Sequence, residues 1–552
     1  MRTGGQILVD SLLLQGADLA FCVPGESYLE VLDAMYDVRD QLRLIVCRQE
    51  GGAAYMAEAY GKLTGRPGIV FVTRGPGASN AAIGIHTAQQ DSTPLIVFIG
   101  QVGGDFKDRE AFQEIDYSRM YGGIAKWVAQ IDRADRVPEY VARAFRVALS
   151  GRPGPVVLAL PEDMLTTAAE AIDWPRVDIA DVAPSLQQLA RLRDLLTQAS
   201  KPLVIAAGAG WNAAACADLN RFVEVNSLPV ATAFRNQDVV DNTHPNYAGE
   251  VGIAINPKLA ARVREADVLL VIGERLGEMV TGGYTLLTAP KPKGALIHIH
   301  PDATELGRLY HPTLAIQSSM PAMAAALAAM PPLTAAAWQG SAAEAHADYV
   351  AWQTPRPMVG TLDLWQVVAA LRTQLPEDAI VTNGAGNYSV WLHRLYRYRG
   401  YRTQLAPYNG AMGYGVPAAI AAKLVHPDRV VVSWNGDGCF QMNGQELATA
   451  VQYGANVVFI VVDNGMYGTI RMHQEREHPG RVVGTDLVNP DFAALARAHG
   501  ALGETVTQTS EFAPALARAL DAGRPALLHL RIDAQAITMN ATIDEIRKQA
   551  RR

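Results

Sequence analysis

Two stretches in the last third of the chain decide the fold: Val430-Val431-Val432-Ser433-Trp434-Asn435-Gly436-Asp437-Gly438-Cys439-Phe440, and Val457–Val462 followed by Asp463-Asn464-Gly465. Each combines an apolar strand with a polar turn, and the segment Gln445–Tyr453 between them is predicted to be helical. Continuous apolar strands separated by helices predict a parallel sheet with helices on both faces. In such sheets ligands bind at the carboxyl ends of the strands, where both polar turns lie.

The two turns carry ligands suited to a hard divalent cation. Asp437 and Asn464 are 27 positions apart (464 − 437), enough for one crossover between neighbouring strands, so both can reach one ion. A carboxylate, an amide oxygen and a backbone carbonyl leave room for phosphate oxygens and water, as Mg²⁺ prefers. Gly436 and Gly438 would let a diphosphate approach the backbone. Gly-Asp-Gly alone is also an ordinary turn, but the spacing and the flanking strands favour a cofactor site.

The alternation of strands and helices runs from end to end, so the predicted fold class is α/β. Pro161–Pro184 and Pro331–Gly360 interrupt it and are interpreted as linkers. They separate three domains, residues 1–170, 185–335 and 356–552, each predicted as a doubly wound, mostly parallel sheet, the central one Rossmann-like. Other predicted strands are Gly68–Thr73, Leu95–Ile99, Val156–Ala159, Leu203–Ala206, Val268–Ile272, Leu296–Ile299 and Ala379–Thr382.

Composition narrows the class of function. The chain has 552 residues, 49% hydrophobic and 19% charged, which is typical of a globular protein. A net charge of −7 without a Lys/Arg cluster argues against nucleic acid. No apolar run is long enough for a membrane span, and Gln6–Leu14 lacks a signal peptide's apolar core. The four cysteines show no CxxC spacing, so we expect free thiols and a cytoplasmic location.

The pair Gly436-Asp437-Gly438 and Asp463-Asn464-Gly465 resembles the signature of thiamine-diphosphate enzymes. Over essentially the whole chain, the sequence resembles the acetolactate synthase / pyruvate oxidase / benzoylformate decarboxylase superfamily, whose pyrimidine-binding, central and diphosphate-binding domains follow in this order. The resemblance implies thiamine diphosphate and Mg²⁺ as cofactors, with the metal on the side chains of Asp437 and Asn464 and the backbone carbonyl of Met466. It also implies a homodimer or homotetramer, because the residues serving one cofactor come from different subunits in that superfamily.

Arg48–Gly65 resembles the pyrimidine-domain signature of these enzymes, and its glutamate aligns with Glu50. The resemblance implies that Glu50 bonds N1′ of the aminopyrimidine and so promotes loss of the C2 proton of the thiazolium. By itself, Glu50 is equally a first-turn glutamate that complements a helix dipole. Asn409–Gly415 resembles the segment that wedges the two cofactor rings into a V. The wedge would be Met412, for which the ordinary alternative is a core side chain.

Further cofactor contacts follow from the same resemblance. Thr73–Asn80 resembles a turn beside the cofactor in these enzymes, and Asn383–Asn387 follows the predicted strand Ala379–Thr382. Besides Glu50 and the three metal ligands, the residues expected to contact the cofactor are Pro24, Gly77, Asn80, Gly386, Asn387, Gly410, Met412, Gly436, Gly438, Cys439, Tyr467 and Gly468.

The resemblance implies decarboxylation of a 2-oxo acid, after which the enamine is either ligated to a second carbonyl or protonated to an aldehyde. Gln101-Val102, Ala111–Glu114 and Ser150–Val156 resemble acetolactate synthases, and Phe112 and Gln113 match residues that line the substrate pocket there. The leading hypothesis is therefore an acetolactate synthase-like carboligase acting on small 2-oxo acids or other carbonyl compounds.

Two positions favour the alternative, a 2-oxo acid decarboxylase that releases an aldehyde. Glu26 stands where acetolactate synthases usually have glycine and pyruvate-decarboxylase-like enzymes a catalytic aspartate. It is a candidate acid/base group and equally a solvated charge at a helix start. His473 stands where acetolactate synthases have a substrate-selecting tryptophan, and is equally a surface residue. The candidate catalytic residues are Glu50, Glu26, Gln113 and His473.

Two hypotheses come from other classes. Ala206–Gly210 and Ala266–Arg275 in the central domain suggest a flavin-dependent oxidoreductase. Flavin-binding acetolactate synthases, however, have Arg-Phe-Asp-Asp-Arg where this chain has Arg275–Met279, and only the first Arg is present, so we do not expect flavin. The other hypothesis is a cofactor-binding protein without catalysis. The intact set of Glu50, Asp437 and Asn464 argues against it.

Overall fold

The computed structural model describes residues 1–333 and 337–551 and contains three six-stranded sheets, one after another along the chain. Every strand pairing within these sheets is parallel. The predicted α/β class, with three doubly wound parallel sheets, is therefore confirmed.

The first sheet belongs to the N-terminal domain. Its elements are β1 (Arg2–Thr3), α1 (Gly4–Leu14), β2 (Leu19–Cys22), α2 (Leu29–Asp37), β3 (Arg43–Val46), α3 (Glu50–Thr64), β4 (Gly68–Val72), α4 (Pro76–Asp91), β5 (Leu95–Gln101), α5 (Tyr117–Tyr121), β6 (Trp127–Gln130), α6 (Val137–Leu149), β7 (Pro155–Pro161), α7 (Glu162–Thr166) and β8 (Ala168–Ala169). The sheet order is β3-β2-β4-β5-β7-β6, and β1 pairs antiparallel with β8. Because the order reverses between β2 and β4, the loops after these strands form one crevice.

The central domain has the strand order typical of Rossmann-like domains. Its elements are α8 (Leu186–Thr197), β9 (Pro202–Ala206), α9 (Ala213–Val225), β10 (Val230–Ala233), β11 (Tyr247–Val251), α10 (Pro257–Glu265), β12 (Val268–Ile272), β13 (Ala295–His300), β14 (Leu314–Gln317), α11 (Met320–Ala328) and α12 (Ser341–Trp352). The sheet order is β11-β10-β9-β12-β13-β14, with the reversal between β9 and β12.

The third sheet repeats the strand arrangement of the first. Its domain consists of α13 (Leu364–Gln374), β15 (Ile380–Asn383), α14 (Tyr388–Leu395), β16 (Gln404–Leu405), α15 (Gly415–Val425), β17 (Val431–Gly436), α16 (Asp437–Asn443), α17 (Leu447–Gln452), β18 (Val458–Asp463), α18 (Gly468–Glu477), α19 (Phe492–Ala498), β19 (Leu502–Val506), α20 (Thr509–Leu520), β20 (Ala526–Arg531) and α21 (Ile543–Ala550). The order β16-β15-β17-β18-β20-β19 reverses between β15 and β17, which places the loops after both strands in one crevice.

Three features differ from the sequence interpretation. The first predicted linker, Pro161–Pro184, contains α7 and also β8, which pairs with β1. The helix predicted at Gln445–Tyr453 starts earlier, because β17 passes directly into α16 at Asp437, and a single 3₁₀ turn, Gly444–Glu446, joins α16 to α17. The second predicted linker contains α12, whose Tyr349 packs edge-on against Tyr247 of β11 at 4.9 Å between ring centroids. Residues 334–336 of that linker lie outside the described residues.

The N-terminal and C-terminal domains share one hydrophobic core. Helices α3 and α4 touch so closely that a Cβ at Gly84 would lie 2.3 Å from the Cβ of Ala54, and α15 packs on α3 from the third domain. The four cysteines are buried and unpaired, as predicted. Across the described ranges, no helix combines the length and apolarity needed to cross a membrane.

Candidate active site

The Asp437 carboxylate lies at the carboxyl end of β17 and ties two turns together. Its Oδ1 accepts a hydrogen bond from the Gly438 N–H (2.8 Å), and its Oδ2 accepts from the N–H groups of Gly465 (2.9 Å) and Met466 (3.2 Å). Burial raises the pKa of Asp437, and the neighbouring Asp463 carboxylate raises it further. A cation beside Asp437 would oppose both effects.

Asn489 holds this pair of carboxylates in place, and the sequence analysis does not identify it. Its Nδ2 donates to Asp437 Oδ2 (2.8 Å) and to Asp463 Oδ1 (2.7 Å). The other oxygen of Asp463 lies 2.8 Å from His529 Nε2. Burial opposes ionisation of Asp463, but the hydrogen bonds from His529, Asn489 and Gly465 hold its pKa below the ordinary value. No motif marks Asn489, because it follows α18 in an irregular segment.

A cavity of about 240 Å³ opens beside Asp437, at the reversal between β15 and β17. The structure brings together here all the residues predicted in the third domain for the diphosphate and the metal. They are Gly386, Asn387, Gly410, Met412, Gly436, Asp437, Gly438, Cys439, Asn464, Met466, Tyr467 and Gly468.

Two of the glycines make room for tyrosine rings. A Cβ at Gly436 would lie 2.6 Å from the ring of Tyr388, and one at Gly438 would lie 2.5 Å from the ring of Tyr467. The Tyr388 hydroxyl donates to the Cys439 sulfur (3.1 Å), which fixes the ring at the cavity wall. Sequence reasoning misses Tyr388, whose only signal is an aromatic residue directly after the predicted contact Asn387.

The loop that carries Met412 is fastened to α3 and α4 of the same chain. The Tyr55 hydroxyl of α3 donates to the Met412 carbonyl (3.4 Å), and the Asp91 carboxylate at the end of α4 accepts from the Tyr408 N–H (2.8 Å). The Met412 side chain is half-buried and borders the cavity, so it is available to a ligand there.

Glu50 is the first residue of α3, and the structure gathers two other predicted residues around it. Its Oε2 accepts a hydrogen bond from Asn80 Nδ2 (2.9 Å), and a Cβ at Gly77 would lie 3.1 Å from its Oε1. Gly77 and Asn80 follow β4, while Pro24 follows the neighbouring strand β2. None of these residues borders the cavity beside Asp437.

Glu26 and Gln113 flank the same crevice of the first sheet. The Glu26 side chain is 72% exposed, and its Oε1 lies 3.7 Å from Arg74 Nη2. Arg74 also pairs with Glu162 and donates from Nε to the Phe112 carbonyl (3.2 Å), so it braces the loop before Gln113. Gln113 has a positive φ of 66° and packs on Gly75, where a Cβ would lie 2.8 Å from that of Gln113.

His473 lies on the exposed surface of α18. The first turn of this helix reaches the cavity beside Asp437 through Gly468, Thr469 and Ile470, whereas His473 is not one of the residues that border it. A contact of His473 with a substrate therefore stays a prediction.

A second cavity, of about 900 Å³, lies between the three domains and shares Gly386, Asn387 and Gly410 with the first. Arg235 and Arg275 of the central domain border it. The turns after β9 and β12 pack directly on each other, since a Cβ at Gly208 would lie 2.1 Å from the Gly273 carbonyl oxygen. The absence of flavin stays a prediction.

Comparison with protein families identifies the class of protein. Residues 2–120 match "Thiamine pyrophosphate enzyme, N-terminal TPP binding domain", residues 189–327 match the central domain of these enzymes, and residues 384–530 match their C-terminal TPP binding domain. The chain therefore belongs to the thiamine pyrophosphate enzyme family. The predicted binding of thiamine diphosphate is confirmed.

Within that family, the chain is similar to acetolactate synthases. It is 31% identical to the acetolactate synthase isozyme 2 large subunit of Escherichia coli (strain K12) over 96% of this chain and 95% of that protein. It is 30% identical to the acetolactate synthase large subunit of Corynebacterium glutamicum, with 97% and 88% covered, and 30% identical to the probable acetolactate synthase large subunit of Methanocaldococcus jannaschii, with 97% and 93% covered. The predicted class, an acetolactate synthase-like thiamine-diphosphate-dependent enzyme, is confirmed.

Proposed function

We propose that the chain decarboxylates a small 2-oxo acid and joins the remaining fragment to a second carbonyl compound. The observation that carries this proposal is the cavity beside Asp437, which collects every predicted third-domain cofactor residue in a chain similar to acetolactate synthases. When bound, thiamine diphosphate would supply a thiazolium that bonds the substrate carbonyl carbon through C2 and takes up, in its ring, the electron pair left behind by the departing CO₂.

Mg²⁺ is the metal that the cavity fits. Asp437 would supply a carboxylate oxygen, Asn464 its amide oxygen and Met466 its backbone carbonyl, a set of hard oxygen ligands that leaves positions for phosphate and water. The raised pKa of Asp437, caused by burial and by Asp463, supports a cation at this place. The metal would hold the diphosphate at the N-terminus of α16, where the helix dipole also favours an anion.

Glu50 is the proposed activator of the cofactor. Asn80 donates to its Oε2 and thereby orients the carboxylate, while Gly77 leaves the space beside Oε1 free of a side chain. Oε1 is thus available to exchange a proton with N1′ of the aminopyrimidine. Met412, at the wall of the Asp437 cavity, is the proposed support for the bent conformation of the two rings.

The active unit is proposed to be at least a homodimer, with active sites between subunits. Glu50 does not border the cavity beside Asp437 in one chain, so Glu50 would serve a cofactor held by a second copy. Large apolar side chains near both sites are exposed and would be buried by that copy: Ile83, Phe112, Met442 and Ile470. A homotetramer would contain the same pairs.

Glu26, Gln113 and His473 are the proposed residues that act on the substrate. Glu26 and Gln113 lie in the crevice that also holds Gly77, and Gln113 is held there by its packing on Gly75. The second candidate function, a decarboxylase that releases an aldehyde, rests on Glu26, whose exposed carboxyl group would donate the proton that formation of the aldehyde requires. The partners are small carbonyl compounds, and the unpaired cysteines favour a cytoplasmic location.

Product analysis with pyruvate separates the two functions. A carboligase that uses pyruvate as donor and acceptor releases one CO₂ for every two molecules consumed and forms no free aldehyde. One CO₂ and one aldehyde for each molecule would instead support the decarboxylase. The same measurement with phenylpyruvate and benzoylformate covers aromatic donors, and Glu50→Gln is the control for turnover that does not depend on the proposed site.

A further inference from the structure

Glu446 is a fully buried glutamate, 0% exposed, which the reaction described above does not use. It ends the 3₁₀ turn after α16 in the third domain, yet its carboxylate is bound in the first domain, at the start of α3. Its Oε1 accepts hydrogen bonds from the N–H groups of Arg48 (3.0 Å) and Gln49 (3.0 Å), and its Oε2 accepts from the Thr449 hydroxyl (2.6 Å).

Residues of the first and of the third domain both contribute to the contact of Glu446 with α3. A Cβ at Gly52 would lie 2.6 Å from Glu446 Oε1, so only a glycine at this position leaves room for the carboxylate. The neighbouring helix α17 strengthens the attachment, because Gln452 accepts from Arg48 Nη2 at 2.6 Å. The Tyr453 hydroxyl just beyond α17 also bonds the N–H of Val46, at 2.8 Å.

These contacts hold the short segment between β3 and α3, and those of Glu446 end on the two residues immediately before Glu50. Helix α3 begins at Glu50. The position of the Glu50 Cα atom therefore depends on where the backbone of the two preceding residues, Arg48 and Gln49, is held. Asn80 fixes only the far end of the Glu50 side chain. A carboxylate at a helix N-terminus is also favoured by the helix dipole, which makes Glu446 a stable anchor at this point.

We propose that Glu446 is a positioning residue, which acts through the backbone of Arg48 and Gln49 to set where the Glu50 carboxylate lies relative to the aminopyrimidine. The inference rests on the proposed role of Glu50. Proton transfer depends steeply on such placement, since a displacement of about 1 Å can lower a rate by roughly 10²-fold. Glu446 itself touches neither cofactor nor substrate.

Glu446→Gln tests the proposal, because it removes the negative charge and one of the two oxygens that accept from the Arg48 N–H. In the cofactor-free protein, we expect the amide protons of Arg48 and Gln49 to exchange with deuterium at least about tenfold faster. In the loaded protein, exchange of the thiazolium C2 proton at saturating cofactor should slow by at least about tenfold. The dissociation constant of thiamine diphosphate should stay within about threefold, because the Asp437 cavity is unchanged.

Asp238→Asn is the matched control. Its buried carboxylate also accepts from two consecutive backbone N–H groups of another domain, those of Thr403 (3.1 Å) and Gln404 (3.2 Å), but it is not bonded to α3. Burial raises the pKa of Asp238 as it does that of Glu446, so the two changes to an amide are alike, but Asp238→Asn should leave C2 exchange unchanged. Gly52→Ala, which pushes the Glu446 carboxylate away, should slow C2 exchange by a second route. If Glu446→Gln does not fold, Glu446→Asp, with its shorter reach, takes its place.

A double-mutant cycle with Glu50→Gln distinguishes a positioning role of Glu446 from a purely structural one. If Glu446 acts through Glu50, Glu446→Gln adds no further slowing in the Glu50→Gln background. Two results would overturn the inference about Glu446 and leave the proposed function standing. One is that Glu446→Gln slows C2 exchange equally in the wild-type and Glu50→Gln backgrounds, and the other is that Glu446→Gln exchanges C2 at the wild-type rate. A wild-type C2 exchange rate in Glu50→Gln itself overturns the proposed function as well.

Discussion

Glu250 in β11 is a buried carboxylate whose ionisation the surroundings oppose. Burial raises its pKa from 4.5 to about 7, although the N–H of Arg235 donates to its Oε1 at 2.9 Å and the Arg235 guanidinium attracts its charge. A basic side chain also lies nearby, His393, whose Nδ1 is 4.0 Å from Oε1. Burial lowers the pKa of His393 to about 3, so its ring is neutral at neutral pH and does not offset the charge.

Glu250→Gln should therefore stabilise the protein at high pH. Because the pKa of Glu250 is higher in the folded than in the unfolded chain, its contribution to stability is fully present below pH 4.5 and is lost as the pH rises through about 7. At 1.36 kcal/mol per pH unit, this interval corresponds to about 3 kcal/mol. Glutamine has the shape of protonated glutamate and can keep the bond to Arg235, so the variant should be about 3 kcal/mol more stable than wild type at pH 8.

Urea unfolding at pH 5 and pH 8 measures this effect. At pH 5 the two proteins should differ by less than about 1 kcal/mol, because Glu250 is then protonated in the folded state. Glu224→Gln, an exposed change on α9 of the same domain, serves as control and should stay within about 0.5 kcal/mol at both pH values. A Glu250→Gln variant no more stable than wild type at pH 8 would contradict this prediction, because it would show that the buried charge carries no penalty.

Three further variants test the active site. In Glu50→Gln the side-chain amide oxygen can still accept from Asn80, so the affinity for the cofactor should change little. Exchange of the C2 proton, measured by NMR, should slow by about 10²–10⁴-fold, and an unchanged rate would contradict the proposed role of Glu50. Asp437→Asn removes the only charged group among the three proposed Mg²⁺ ligands, and a Mg²⁺ titration should show a loss of metal affinity larger than the roughly 10–100-fold typical of outer-shell changes. Gly436→Ala should weaken cofactor binding by about tenfold, because the new Cβ displaces the Tyr388 ring into the cavity. In a Tyr388→Ala background the same change should cost nothing, and an equal loss there would exclude the ring as the cause.

The strands could be predicted from local pattern, because each is a short apolar run whose burial on both faces leaves a continuous signal. Val268–Ile272 has the bounds predicted for it, and the other strands named in the sequence analysis differ by one to three residues at one or both ends. Helix α12 is missed because its alanine-rich sequence, flanked by prolines, shows little contrast between its buried and exposed faces. Strand order, including its repetition in the first and third sheets, depends on pairings between distant segments and has no local signature.

The sites were predictable to different degrees. The predicted residues around the Asp437 cavity follow neighbouring parallel strands. Because such strands end at the same edge of the sheet, residues one strand–helix–strand unit apart in the sequence lie close together in the fold. Asn489 and Tyr388 carry no motif, and their roles arise from hydrogen bonds that only the folded chain forms. Glu26 is a candidate acid/base group in the sequence. In the structure its carboxylate lies beside Arg74, a neighbour that no spacing in the sequence suggests.

The kind of chemistry could be inferred without a structure, because the resemblance to thiamine-diphosphate enzymes rests on local segments, those that carry Glu50, Asp437 and Asn464. How these segments act on one another depends on the folded chain. Glu446 reaches the backbone before Glu50, and Glu50 stays apart from the cavity beside Asp437, because the first and third domains dock through α3, α4 and α15. That docking buries a carboxylate from one domain against the helix start of the other, a contact between residues far apart in the chain that no local pattern encodes.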